Sequence, residues 1–215
     1  MNETDLMVRV VNRALELARA GRSFDEILED ALDTLSASRP SPIWSSVASL
    51  DRDGDVRGLA GWVLDQMADH PPPKHLTAFW FGLNEIGPAA SYPTGAEAVL
   101  ELTGGPGFPD DPDWLFKQDW HPGGYAPTPG LRSLLSIGAA SDDGFAVVSH
   151  SVVLTYAIGL VSAALELAGP ALLMAGIEQL GIAVGFHDGD VALLGVLSGA
   201  GLDRAILRPP EVGRE

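Results

Sequence analysis

The chain contains no cysteine, which excludes disulfides, thiolate nucleophiles and cysteine-ligated zinc and fits a reducing compartment. It is also short of positive charge: 13 Lys and Arg stand against 29 Asp and Glu, a formal charge of −16 over 215 residues. A surface of that sign repels a phosphate backbone instead of releasing its counterions, so no nucleic-acid partner is expected. Between Arg132 and Arg204 there is no Lys or Arg at all. This decides the reading of Phe145 to Leu165, an uncharged stretch about as long as a bilayer is thick. The basic flank that would orient a spanning helix is missing, and Ser149, His150, Ser151, Thr155, Tyr156 and Ser162 dilute its apolar run. A buried helix in a soluble chain, without a membrane partner, is the expectation. The start of the chain, with Glu3 and Asp5 ahead of an amphipathic pattern, lacks the basic region and unbroken apolar run of an export signal, and a cytoplasmic location follows from that reading.

Signatures of chemistry are missing too. No Gly-x-Ser-x-Gly elbow, phosphate-binding glycine loop, His-Glu-x-x-His or dinucleotide fingerprint occurs, which leaves the chain reading as non-enzymatic with no cofactor. The five histidines, His70, His75, His121, His150 and His187, never fall three or four residues apart, so none pair on one helical face as metal ligands, and no metal is expected. Asp51, Asp53 and Asp55 alternate like the opening of a calcium loop. The loop's turn glycine would fall at Val56, however, and its bidentate glutamate at Trp62, so the pattern fails. Glu166 and Glu178 lie in nearly uncharged apolar surroundings, where burial would raise a carboxyl pKa. The plainer expectation places each on the solvated edge of a buried helix.

Present instead are clear helical and strand patterns. Leu6, Val10, Val11, Ala14, Leu15 and Ala18 recur at helical spacing up to Gly21, and Ser23 with Glu26 forms a capping box ahead of a second amphipathic helix through Leu35. The two make a helical hairpin. The stretch from Ile43 to Leu59 is expected to be a β-hairpin turning at Asp53-Gly54, followed by a short helix bearing Leu59, Trp62, Val63 and Met67. His75 to Leu83 reads as a central strand, Ala96 to Gly105 as a further strand, Leu131 to Ala139 as a helix, and His150 to Leu167 as a long buried helix. A last hairpin turns at Asp188-Gly189. The sum is an α+β fold: an antiparallel sheet built from hairpins, packed with an N-terminal helical hairpin and a long buried helix. Residues 1–208 are expected to form one domain and 209–215 a flexible tail.

From Gly104 to Gly130 glycine, proline and aspartate dominate, a loop long enough to be a functional candidate, with one helical turn expected to start at Asp111 and Pro112. Within it, Asp110, Asp111, Asp113, Trp114, Asp119, Trp120, His121 and Tyr125 are the candidate binding residues. Tryptophan and tyrosine anchor interfaces, and the acids favour a basic partner. The same rings could instead pin the loop to the sheet. The expected division is a buried Trp120, with Trp114 and its neighbouring aspartates forming the exposed edge. The functional expectation is an acidic protein-interaction domain that captures a basic protein partner. Size, acidity and missing catalytic motifs match the general profile of bacterial immunity proteins, though no residue motif carries that comparison. The alternative is a small-molecule-binding protein or hydrolase with a pocket under residues 109–127, using His121 or His150 with a nearby aspartate. Oligomeric state is not legible in the sequence.

Overall fold

The computed structural model describes residues 2–87, 95–111, 113–141, 145–174, 179–187 and 191–203. Helix α1 (Glu3–Arg19) buries Leu6, Val10, Ala14 and Ala18 and ends where Gly21 adopts φ 72°. That left-handed residue lets the Gly21 and Arg22 N–H groups bond back to the Ala18 and Leu17 carbonyls at 3.0 Å each, closing the helix as glycine does best. Helix α2 (Phe24–Ser38) starts on the expected capping box: Ser23 Oγ accepts from Glu26 N at 3.2 Å and the Glu26 carboxylate accepts from Ser23 N at 2.8 Å.

The next segment differs from its sequence reading. Where a β-hairpin was expected, the chain forms α3 (Ile43–Ala48) and α4 (Arg52–Asp69). Asp51 is an N-cap whose carboxylate accepts from Gly54 N at 2.9 Å, and Asp53 and Asp55 occupy the first turn, where carboxylates favour the helix dipole. An acidic run ending in glycine therefore serves a helix start as well as a turn. The spacing of Ile43, Trp44 and Val47 suits a helix, and all three are buried.

Strands β1 (Ala78–Ile86), β2 (Glu97–Gly105), β3 (Gln179–Phe186), β4 (Val191–Ser198) and β5 (Gly201–Asp203) form one sheet in the order β2-β1-β3-β4-β5. Three of its pairings are antiparallel, but the central one, β1 with β3, is parallel from Ala78 opposite Gly181 to Leu83 opposite Phe186. The architecture is α+β with a mixed, mostly antiparallel sheet. The turn expected at Asp188-Gly189 joins two strands that do pair, while those two residues, Glu178 and the tail lie outside the described residues.

Alternation divides the sheet into two faces. Phe79, Phe81, Leu100, Leu102, Ile182, Val184 and Leu194 point toward the helices and join the main core, whereas Ala78, Trp80 and Ala183 point the other way. Helix α5 (Pro129–Ala139) packs beside β2. The long helix α6 begins over Phe145–Val147, widens to a π turn over Val148–Val152 and continues through Val153–Met174. It is long and apolar enough to cross a membrane by composition, yet 83% of its most apolar window is buried inside the chain. Glu166 lies on an exposed edge of it, as the plainer reading held.

One polar cluster sits inside this core. The carboxylate of Asp55 accepts from Gly130 N at 3.0 Å, Leu131 N at 2.9 Å and the Tyr156 hydroxyl at 3.0 Å. The residue on α4 thereby caps α5 and holds α6. Gly130 is required by proximity: a Cβ there would stand 2.5 Å from Tyr156 Oη and 2.8 Å from Asp55 Oδ2. Burial pushes the Asp55 carboxyl pKa up against the opposing pull of its three donors, because desolvation disfavours the charged form. Burial and the nearby carboxylate push the Tyr156 hydroxyl far above the phenol range, so it remains a donor.

Candidate functional site

The segment from Pro109 to Pro127 is laid against the outer edge of β2. Gly104 N donates to the Trp120 carbonyl at 2.9 Å, Asp119 N and Trp120 N both donate to the Gly104 carbonyl at 3.1 Å, and Ala126 N donates to the Leu100 carbonyl at 2.8 Å. These bonds satisfy edge groups that would otherwise be open to another strand. The loop thus has a structural duty that its composition does not advertise.

Its two indoles enter the protein on opposite sides of the sheet. Trp120 joins the main core, stacks on Phe79 at 5.4 Å between ring centroids, and donates from Nε1 to the His70 carbonyl at 3.1 Å. Trp114 lies on the other face with Ala78, Trp80 and Ala183, edge-on to Phe108 at 5.4 Å. The loop grips the sheet edge from both sides. Each indole is only 7% exposed, so the expected burial of Trp120 holds and the expected exposure of Trp114 is corrected. The reason is that the sheet face away from the helices is itself apolar around Trp80, and it takes Trp114 as its cover.

What the anchors display is a residue the sequence reading passed over. Trp114–Phe116 form a single 3-10 turn, and with Trp114 directed inward, Phe116 is 83% exposed. Such exposure of a large apolar ring on an ordered turn is the informative kind. Asp110 and Asp113 are exposed close by in sequence, and among the described residues neither carboxylate is hydrogen-bonded. Asp111 is half-buried and occupied: it accepts from Asp113 N at 2.9 Å and from the Lys117 ammonium, which holds its carboxyl below the usual range. Asp119 pairs with His75 at 2.7 Å. His121 is exposed with Nε2 3.2 Å from the Gln118 carbonyl, and Tyr125 is 41% exposed after the Gly123-Gly124 turn. Asp110 and Asp113 are thus exposed ahead of the turn that displays Phe116, and Asp119 and His121 are exposed after it.

Among the described residues neither histidine weighed for chemistry meets an aspartate: His121 faces a carbonyl, and the only ring contact of His150 is Phe186, at 6.4 Å. Besides His75, a second histidine meets a carboxylate: His187 is paired with Glu101 on the sheet face away from the helices and set 4.5 Å from the Trp80 ring. Gly82 between them makes the pairing feasible, since a Cβ there would stand 2.6 Å from His187 Nε2. Glu101 lies on β2 and His187 just past the end of β3, with β1 between the two strands, so only knowledge of the parallel pairing would have found them. Comparison with family models, with curated proteins and with solved structures returns no match to this chain.

Proposed function

We propose that the chain is an acidic protein-interaction domain, soluble and cytoplasmic, whose loop from Pro109 to Pro127 recognises a basic protein partner. The observation that carries this reading is Phe116, 83% exposed on a turn held by a buried indole, with the exposed Asp110 and Asp113 a few residues ahead of it in the chain. A partner that fits would offer an apolar pocket for the ring with Lys or Arg at its rim, the arrangement of a hot-spot anchor inside a charged border. The charge of −16 supports steering of such a partner. The test compares wild type with Phe116→Ala and with Asp110→Asn/Asp113→Asn as bait at low and high salt. A partner held by wild type at low salt, lost at high salt and lost by both variants supports the reading. Identical capture by all three baits refutes it.

A second reading, ligand binding or hydrolysis on the sheet face away from the helices, is favoured by the Glu101–His187 pair against Trp80. It requires turnover of an activated ester above the buffer rate that His187→Ala abolishes, and the absence of any such turnover removes the hydrolytic form.

A further inference from the structure

Residues 107–111 and 113–118 lie as a strap over the sheet face away from the helices, and both ends of the strap press on glycines. The Phe108 ring covers Gly181, where a Cβ would stand 2.6 Å from its Cδ1, and the Lys117 carbonyl covers Gly105, where a Cβ would stand 2.6 Å from the oxygen. Between these points Phe108, Trp114 and Leu115 pack on Ala78, Trp80 and Ala183, a small core separate from the main one. The polar bonds of the strap are almost all its own. Asp111 N donates to the Gly107 carbonyl at 2.7 Å, Phe116 N to the Asp113 carbonyl at 2.9 Å, Lys117 N to the Trp114 carbonyl at 3.1 Å and Gln118 Nε2 to the Leu115 carbonyl at 2.8 Å. Among the described residues a single hydrogen bond ties it to the body of the fold, from Phe108 N to Thr77 Oγ1 at 3.0 Å. On the covered face Trp80 and Thr103 stand opposite each other on β1 and β2, 6% and 3% exposed, and neither Trp80 Nε1 nor Thr103 Oγ1 has a hydrogen-bond partner among the described residues. Polar groups buried in that state favour any opening that lets water reach them.

We infer that the strap is a lid: it lifts from the sheet as a unit and uncovers Trp80 and Thr103, while the return leg through Trp120 stays in place. Its internal bonds keep its shape when it leaves, its tie to the body is one hydrogen bond, and the core beneath it is small. A unit so held opens at a lower free energy than the whole domain. The hinge on one side is Gly107, at φ 99°, a conformation that glycine enters and leaves without steric cost. On the other side the bonds of Asp119 N and Trp120 N to the Gly104 carbonyl, with Trp120 stacked in the main core, fix the point where the moving part ends. The uncovered indole of Trp80 lies beside His187, so the lid governs access to that end of the face, as mobile loops do over enclosed sites. Opening requires no partner at Phe116.

The absence of cysteine from the chain makes the test direct. Ala183→Cys and Val184→Cys each place one thiol on β3, at neighbouring positions that are both 0% exposed, the first beneath the strap and the second in the main core. Each full-length variant is treated with a thiol reagent under native conditions and in urea below the unfolding transition. Ala183→Cys should react on the order of a hundredfold faster than Val184→Cys or more, with a rate that urea changes far less, because lifting the strap exposes far less surface than unfolding. Adding Tyr156→Phe, which weakens the body, should speed Val184→Cys about fivefold and leave Ala183→Cys unchanged. Adding Gly107→Ala, strained at φ 99° with its Cβ 2.9 Å from Asp111 Cβ, should speed Ala183→Cys by about fivefold or more. Equal rates for the two thiols with the same urea dependence overturn the inference, since the strap then leaves only when the domain unfolds. An unaltered Ala183→Cys rate in the Gly107→Ala background overturns it too, because another motion then bares that face. Hydrogen exchange of the unmodified chain decides the case if a cysteine loosens β3: the Phe108 amide should exchange on the order of a hundredfold faster than the Trp120 amide, and equal protection of the two refutes the lid.

Discussion

Replacing Asp55 by alanine should be among the most damaging single changes this fold can suffer. Three buried donors, Gly130 N, Leu131 N and the Tyr156 hydroxyl, converge on this one carboxylate. Each donor left without an acceptor costs about 1–3 kcal/mol. The small cavity left behind can admit a water that recovers part of the loss. The net expectation is a destabilisation of about 3–5 kcal/mol, the range for breaking one side of a buried charged network, and a large share of the roughly 5–15 kcal/mol that holds a domain folded. Tyr156→Phe removes one donor and leaves the carboxylate two, so it should cost only about 1 kcal/mol. The two are coupled: in the Asp55→Ala background the tyrosine hydroxyl has no acceptor, and Tyr156→Phe should then cost nothing or stabilise. Urea unfolding followed by far-UV circular dichroism and by tryptophan fluorescence measures all four proteins, with an unchanged m-value as the condition for comparing them. If Asp55→Ala stays within about 1 kcal/mol of wild type, or Tyr156→Phe costs the same in both backgrounds, the carboxylate does not organise α4, α5 and α6 as argued.

The same group predicts a pH effect. Because burial raises its pKa, Asp55 takes up its proton at a higher pH in the folded than in the unfolded chain, so the stability gained from that protonation is full below the unfolded carboxyl value of about 4 and is lost as pH rises through the folded value. Wild type should therefore lose stability relative to Asp55→Asn over that interval, and a flat difference between the two from pH 3.5 to 7 would contradict the assignment. Gly130→Ala, which places a methyl 2.5 Å from the Tyr156 hydroxyl, should destabilise by about 1–3 kcal/mol in the same urea assay, the usual cost of overpacking. Trp114→Ala and Trp120→Ala should each cost about 3 kcal/mol or more, whereas Phe116→Ala should stay within about 0.5 kcal/mol; equal losses for all three would mean that Phe116 is packed. Millimolar calcium should leave the melting temperature unchanged, since Asp51 caps α4 and Asp55 is committed to α5 and α6; a clear rise would expose a site those assignments overlook.

Legibility in the sequence tracked how local each cause was. The capping box at Ser23, the Gly21 stop and the apolar stripes of α1 and α2 act within a few residues, and periodicity reads them directly. The segment around Asp51 misled because capping and turning call on the same residue types, and the tie was broken by tertiary demand: Asp55 reaches the start of α5. The parallel pairing of β1 with β3 has no local marker, since hairpin turns announce antiparallel neighbours only. At the candidate site, the tryptophans were visible as anchors, but which face of the sheet would receive Trp114 depended on Trp80 and Ala183, one of them far along the chain. Phe116 was passed over because exposure is a property of its neighbours' directions, not of its own identity.

The parallel pair at the centre of the sheet also sets the order in which the molecule can be assembled. Ala78 waits for Gly181 and Leu83 for Phe186, so a chain emerging from a ribosome makes the helical hairpin, α4 and the β1–β2 pair long before the strand that completes β1 exists. During that interval the backbone edge of β1 that later receives β3 is unpaired, with Trp80 on one face of the strand and Phe81 on the other, and an open edge of that sort invites intermolecular pairing. Closure across such sequence distance is slow compared with hairpin formation. The loop clasp on the outer side of β2 guards one flank from early on, which leaves the inner flank as the place where a chaperone, or a second nascent copy, would meet this protein first.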